Sequence, residues 1–193
     1  MGLLVLGLVL FLGVHSTRIF AEDWRTRTVA KIGDKAWKGI YTLISLLGLG
    51  LIVWGFGLAR DDPLFVWAPP VGMRHLASLL TLIAFVLLAA AYVPGNYIKA
   101  RLHHPMVLSV KVWALAHFLA NGNLAHVVLF GSFLVWAVLC FRAARQRDRA
   151  AKTVYPAGKL PATVATLIVG LVAWAGFAMW AHGVLIGVRP FGG

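Results

Sequence analysis

The sequence predicts an all-α integral membrane protein, a polytopic bundle of about six transmembrane helices that forms a single membrane domain over residues 1–193. Hydrophobic residues make up 61% of the chain and the mean hydropathy is +0.85, whereas about half of a soluble domain is usually apolar. Only 12% of the residues are charged, and most of them lie in short basic segments between long apolar runs. This alternation is typical of a chain that crosses a lipid bilayer several times.

A helix needs about 20 apolar residues to cross a bilayer. Six runs of roughly this length predict the spans, at residues 3–21, 37–59, 74–93, 106–121, 124–141 and 162–187. No basic segment precedes the first run, which favours a retained span over a cleaved secretory signal. Only Gly122 and Asn123 separate the fourth and fifth runs, which predicts an antiparallel hairpin. Residues 98–104 are predicted to form a short helix at the membrane interface.

The distribution of lysine and arginine predicts how the spans are oriented. Thirteen of these residues fall in the first, third and fifth loops, and three fall on the opposite side. Because cytoplasmic loops carry the excess of positive charge, both termini are predicted to lie on the non-cytoplasmic side. We therefore expect a multi-pass membrane protein. The proline-containing loop at residues 60–72 is predicted to be extended and to lie outside.

Composition also excludes several classes of function. The net charge of +12 arises from loops between spans, so it indicates membrane orientation and not a nucleic-acid partner. Cys140 is the only cysteine of the chain, which excludes an internal disulfide and a cysteine-based metal cluster. All six carboxylates fall in loops or at span ends. Their positions argue against a proton-driven transporter, a two-carboxylate hydrolase, a zinc protease and a Ser–His–Asp site.

Ionisable residues inside a membrane are costly and are candidates for function. His15 lies about 18 Å along the first span and His117 about 16 Å along the fourth, at ~1.5 Å per residue. The two imidazoles are therefore predicted at overlapping middle depths on different helices. Two histidines at matched depth on facing helices can hold an iron porphyrin between them. The alternative is that His15 bonds only to a neighbouring backbone group.

Other polar and aromatic residues could belong to the same site. Asn121 and Trp113 are each four residues from His117, so they are predicted to share its helix face. Asn121 could orient the imidazole or bind a polar ligand, and Trp113 could pack on a flat cofactor. Lys111 and His104 are predicted on one face near the inner surface, where with Arg18 they could hold haem propionates. The alternative for Lys111 and Arg18 is that they extend to lipid headgroups.

The sequence also allows a rival metal site. His75 begins the third span on the outer side and His126 follows the outer turn. With His117 they could bind a metal ion in place of the pair formed by His15 and His117. His182, near the outer end of the sixth span, is expected to be an ordinary interfacial histidine.

Several stretches of the chain resemble the NnrU family of bacterial membrane proteins. They include LFLGVHSTRIFAEDWR, HHPMVLSVKVWALAHFLANG and VLFGSFLVWAVL, and the matching core covers about residues 3–140. The sixth span, after a basic cytoplasmic linker at residues 142–160, looks like an addition to that core. The resemblance implies an association with denitrification and with nitrite and nitric oxide metabolism.

The NnrU family is in turn similar to plant zeta-carotene isomerase, a membrane haem b protein with histidine ligands. The resemblance implies that His15 and His117 are the corresponding ligands of haem b in this chain. The leading hypothesis is a haem protein of nitrogen-oxide or other redox metabolism, with a redox partner or denitrification enzymes as its associates. The alternatives are a non-enzymatic accessory or transport protein for those enzymes and a haem-dependent cis–trans isomerase of a polyene. Whether the protein is an enzyme, and its oligomeric state, are left open.

Overall fold

The computed structural model describes residues 1–191 and is all-α, as predicted. Helices α1 to α5 occupy Gly2–His15, Thr17–Phe20, Glu22–Ile32, Asp34–Asp61 and Gly72–Tyr92. Helices α6 to α9 occupy Tyr97–Leu102, Pro105–Ala120, Leu124–Ala150 and Leu160–Gly176. A π-helical turn at Phe177–Ala181 continues α9 into α10, His182–Ile186.

Four of these segments are long and apolar enough to cross a membrane. They are α4, α5, α8 and the continuous stretch Leu160–Ile186. Helices α1 and α7 are apolar but shorter, with 14 and 16 residues. At ~1.5 Å per residue they measure about 21 Å and 24 Å, less than the ~30 Å of a hydrocarbon core. The fold class is confirmed, and four of the six predicted spans have full transmembrane length.

The first predicted span is interrupted where a continuous helix was expected. The amide of Ser16 donates to the carbonyl of Gly13, and the hydroxyl of Thr17 donates to Val14, both at 3.0 Å. These bonds to the residue three positions back tighten the backbone. The helix therefore ends at His15, inside the predicted span of residues 3–21.

The fifth predicted span differs at its end. It was expected to stop at residue 141, where the arginines begin, but α8 continues to Ala150. Arginine, alanine and glutamine favour helix whether or not they lie in lipid, so the loss of hydrophobicity did not mark the end of the helix. The first part of the predicted linker at residues 142–160 is therefore helical. Only residues 151–159, between α8 and α9, are non-helical.

Contacts within the chain cluster into two compact units. Unit 1 comprises Met1–Ala68 and Asn121–Gln146, and unit 2 comprises Pro69–Ala120 and the described part of Arg147–Gly193. In unit 1, α1 packs closely against α4 because glycines remove the side chains from their contact. A β-carbon at Gly55 would lie 2.3 Å from the amide nitrogen of Leu4, and one at Gly7 would lie 2.6 Å from that of Ile52.

The same unit is completed by α8 and by the proline-containing loop. Phe133 of α8 contacts Phe11 of α1 with ring centroids 5.9 Å apart. The loop is extended where Phe65 forms an antiparallel bridge with Asn123, as the prolines predicted. The amide of Leu124 donates to the carbonyl of Leu64 at 2.7 Å, which fixes the loop beside the start of α8.

In unit 2, helices α7 and α9 both pack on α5, through buried alanines such as Ala84, Ala90 and Ala114. The short helix predicted at residues 98–104 is present as α6, Tyr97–Leu102, and its interfacial position stays a prediction. Asn96 caps it: its buried side chain accepts from the amide of Lys99 and donates to the carbonyls of Ala90 and Val93. The amide of Lys159 donates to Gly95 at 2.7 Å, which joins the start of α9 to this turn.

Candidate functional site

His15, the last residue of α1, is enclosed by aromatic rings of unit 1. Its Nδ1 lies 2.7 Å from the carbonyl oxygen of Phe11. The Phe11 ring stacks on the imidazole at 4.2 Å, and the rings of Tyr41 and Trp136 lie 5.1 Å and 6.1 Å away. Contacts from α1, α4 and α8 therefore hold the orientation of this half-buried histidine.

An apolar groove of about 500 Å³ lies beside this histidine in unit 1. Its lining residues are Leu12, Ser16, Val127, Val128, Gly131, Ser132, Val135, Trp136 and Leu139. The Nε1 of Trp136 has no exposed surface and no hydrogen-bond partner among residues 1–191. Because Trp136 contacts both the groove and His15, the groove adjoins the environment of the candidate ligand.

His117 lies in α7 of unit 2, among buried alanines. Its Nδ1 is 2.9 Å from the carbonyl oxygen of Trp113, and the Trp113 ring lies 5.3 Å from the imidazole at 49°. Trp113 thus lies beside His117, and its role as a packing surface for a cofactor stays a prediction. Helix α7 ends at Ala120, so Asn121 follows the helix. His182 is near enough in the same unit to act electrostatically on His117.

The two candidate ligands share one chemical feature. In each, Nδ1 faces a carbonyl oxygen four residues earlier in its own helix. A carbonyl can only accept, so Nδ1 carries the proton and the neutral imidazole has its lone pair on Nε2. A backbone bond of this kind is what orients histidine ligands in metal proteins. The donor chemistry of both residues fits haem iron, which binds neutral imidazole.

Two of the three basic residues predicted to hold propionates, Arg18 and His104, already face carboxylates. Arg18 Nε donates to Glu22 at 3.1 Å. His104 Nε2 lies 2.7 Å from Asp148 Oδ2, which also accepts from the hydroxyl of Tyr155 at 3.0 Å. Lys111 lies half-buried in α7.

The partners of His104 were missed by the sequence reasoning. His103 stacks on the Tyr155 ring at 4.0 Å and adopts a left-handed backbone angle, φ 68°. Asp148 is the only acid between residues 142 and 160. An acid among so many cations indicates that the acid has a specific partner. The sequence does not identify that partner, because His104 lies 44 residues away from Asp148 in the chain.

The remaining histidines lie apart from any multi-ligand cluster. His75 is exposed at the start of α5, and His126 packs edge-on against Phe56 at 5.0 Å. The Nδ1 of His182 faces the carbonyl of Val188 at 2.7 Å. Within residues 1–191, no group of three or more His, Cys, Asp or Glu side chains is arranged to hold a metal ion. The rival metal site of His75, His117 and His126 stays a prediction.

The fold and these intramembrane groups define a multi-pass helical membrane protein. Within that class the chain belongs to the NnrU family, because the family model described as NnrU protein matches residues 3–190. The match continues beyond residue 140, so the sixth predicted span belongs to the family pattern and is not an addition to it. Searches of the curated proteins and of the solved structures found no match.

Proposed function

We propose that this NnrU family membrane protein binds haem b through His15 and His117 and acts in nitrogen-oxide or other redox metabolism of the bacterial inner membrane. The observation that carries the proposal is the distance from Nδ1 to a backbone carbonyl oxygen, 2.7 Å for His15 and 2.9 Å for His117. A proton on Nδ1 satisfies this geometry and leaves each Nε2 with the lone pair that iron requires. The pairing of these two residues rests on their matched depth along the predicted spans.

The proposed topology has six spans with both termini on the non-cytoplasmic side. The four long apolar helices support it directly, and α1 and α7 supply the two shorter crossings. A short apolar helix can be accommodated by local thinning of the bilayer or by extension of flanking side chains. The bias of thirteen basic residues to three sets the orientation.

Haem, when bound, supplies a one-electron redox centre to the protein. The residues of this chain orient the imidazoles and exclude water: Phe11, Tyr41 and Trp136 surround His15, and Trp113 packs on His117. A low-dielectric surrounding and a fixed ligand orientation both tune such a centre.

The propionates require cations, and three residues are candidates. Arg18 and His104 each already hold a carboxylate of this chain, Glu22 and Asp148. This pairing supports their ability to bind a carboxylate, but a propionate must share or displace the present partner. Lys111 makes no ion pair with an acid within residues 1–191, so we assign it the first role in holding a propionate.

The test is an absorption spectrum of protein purified in detergent after expression with ample haem. We expect a Soret band in the wild type and a shift of its position in His117→Ala, because that variant removes one of the two iron ligands. The control is His75→Ala, which removes a histidine of the rival metal site and should leave the band unchanged. Absence of haem from the wild type, with a transition metal found by elemental analysis, would contradict the proposal.

A further inference from the structure

Helix α3, Glu22–Ile32, joins the first two apolar helices of unit 1 at one surface of the membrane. Helix α1 ends at His15 and α4 begins at Asp34. The polypeptide between them therefore leaves the bilayer and enters it again at the same surface. Helix α3 packs on α4 near this surface. Its position is therefore set by a helix long enough to span the bilayer.

The apolar side chains of this segment are not covered by protein. Trp24 and Ile32 of α3 are 51% and 39% exposed, and Phe20 just before it is 73% exposed. Trp24 and Ile32 are eight residues apart, close to two helical turns, so they lie along one side of α3. Large apolar side chains aligned in this way at a membrane surface are typical of helices that lie in the interface plane.

Helix α3 is anchored to α4 beside its exposed apolar side. Arg25 lies over the Trp37 ring of α4 at 5.8 Å and contacts Glu22 at 3.5 Å. The Trp24 ring meets Trp37 edge-on at 5.7 Å. These contacts fix the rotation of α3, so that Trp24 packs on Trp37 and is still 51% exposed.

Three cations lie beside the exposed apolar side. Arg27 and Lys31 are one helical turn apart in α3, and Lys35 follows at the same spacing in the first turn of α4. All three are exposed, and none forms an ion pair with a carboxylate within residues 1–191. The one bond of Arg27 goes to the backbone carbonyl of Asp23, at 3.3 Å.

We infer that α3 is an in-plane membrane helix that binds anionic phospholipid headgroups through Arg27, Lys31 and Lys35. Trp24 and Ile32 insert at the boundary between headgroups and acyl chains. The bilayer is the occupant that the geometry favours, because the exposed apolar side adjoins helices that cross it, and the cations select negatively charged lipids. This inference does not depend on haem binding.

The experiment counts phosphatidylglycerol molecules retained by the purified protein in native mass spectrometry after delipidation and titration. The triple variant Arg27→Gln/Lys31→Gln/Lys35→Gln should bind this lipid on the order of a hundredfold more weakly than the wild type, from about fivefold per cation. The matched control Lys152→Gln/Lys159→Gln removes cations from another basic segment and should bind as the wild type does. Equal affinity in the triple variant and the wild type would overturn the inference.

A second measurement reports the depth of the Trp24 indole in the bilayer. It does not use the triple variant, so a folding defect of that variant cannot affect the result. In bilayers with brominated acyl chains, the fluorescence difference between wild type and Trp24→Phe reports this indole. We expect strong quenching by bromine near the ester end of the chain and weak quenching by bromine near the chain terminus. An indole that bromine quenches from neither position would contradict insertion of α3.

Discussion

The two units of the molecule hold their candidate ligands by the same backbone bond but in different surroundings. In unit 1, His15 stacks on Phe11 and faces Tyr41 and Trp136, contributed by three helices. In unit 2, His117 has the Trp113 ring of its own helix and small, fully buried neighbours in sequence, Ala114 and Ala116. The bond fixes which nitrogen is protonated, and the surroundings fix how rigidly each ring is oriented.

The units also differ in how their helices approach one another. Unit 1 uses glycines at the contact of α1 with α4, where a β-carbon would overlap backbone atoms. Unit 2 also has a close glycine contact, where a β-carbon at Gly170 of α9 would lie 2.7 Å from Val86 Cα of α5. It adds alanine packing and polar bonds, such as Trp174 Nε1 to the hydroxyl of Thr81 at 3.2 Å. Stability is therefore expected to respond to added volume at the glycine contacts of both units, and in unit 2 also to the loss of such hydrogen bonds.

The largest expected effect on stability comes from adding one methyl group in unit 1. Gly55→Ala should lower the free energy of unfolding by about 3 kcal/mol, because the new β-carbon meets the backbone of Leu4 and neither helix can yield without separating. Gly57→Ala is the matched control, since nothing lies within 4 Å of its β-carbon. Thermal unfolding in detergent measures both, and equal midpoints for the two variants would contradict this account of helix packing.

A smaller effect is expected at the hydrogen-bonded cluster of unit 2. Asp148→Ala should cost about 2 kcal/mol, because the half-buried side chains of His104 and Tyr155 both lose their carboxylate partner. Tyr155→Phe retains the stack on His103 and removes a single bond, so it should cost about 1 kcal/mol. Chemical unfolding of the purified variants tests the order. A Tyr155→Phe variant less stable than Asp148→Ala would mean that Asp148 does not organise the cluster.

The smallest difference compares one tryptophan from each unit. Trp174→Phe removes an indole that donates to Thr81, whereas Trp136→Phe removes a buried Nε1 that has no partner within residues 1–191. The unit 2 variant should therefore lose about 1 kcal/mol more than the unit 1 variant. The shift of unfolding midpoint in the same detergent measures the difference. A greater loss in Trp136→Phe would indicate that its Nε1 is bonded in the membrane-embedded protein.

Much of this fold follows from sequence, because hydropathy locates apolar helices and the i−4 carbonyl beside each histidine is given by helix geometry. The break after His15 was missed, since Ser16 and Thr17 bond locally without lowering hydropathy enough to end a span. The end of α8 was also missed, because arginine continues a helix outside lipid. The partnership of His104 with Asp148 depends on tertiary contact, which no local pattern encodes.

The most direct test of the central claim is the spin state of ferric haem in His15→Gly and His117→Gly, measured before and after imidazole is added. We predict a low-spin, six-coordinate spectrum in the wild type, a change to high spin in either variant, and return to low spin when imidazole enters the vacated ligand position. His182→Gly, whose histidine has the same Nδ1-to-carbonyl bond, should stay low-spin throughout. A low-spin spectrum in His15→Gly together with a high-spin spectrum in His182→Gly would contradict the assignment of His15.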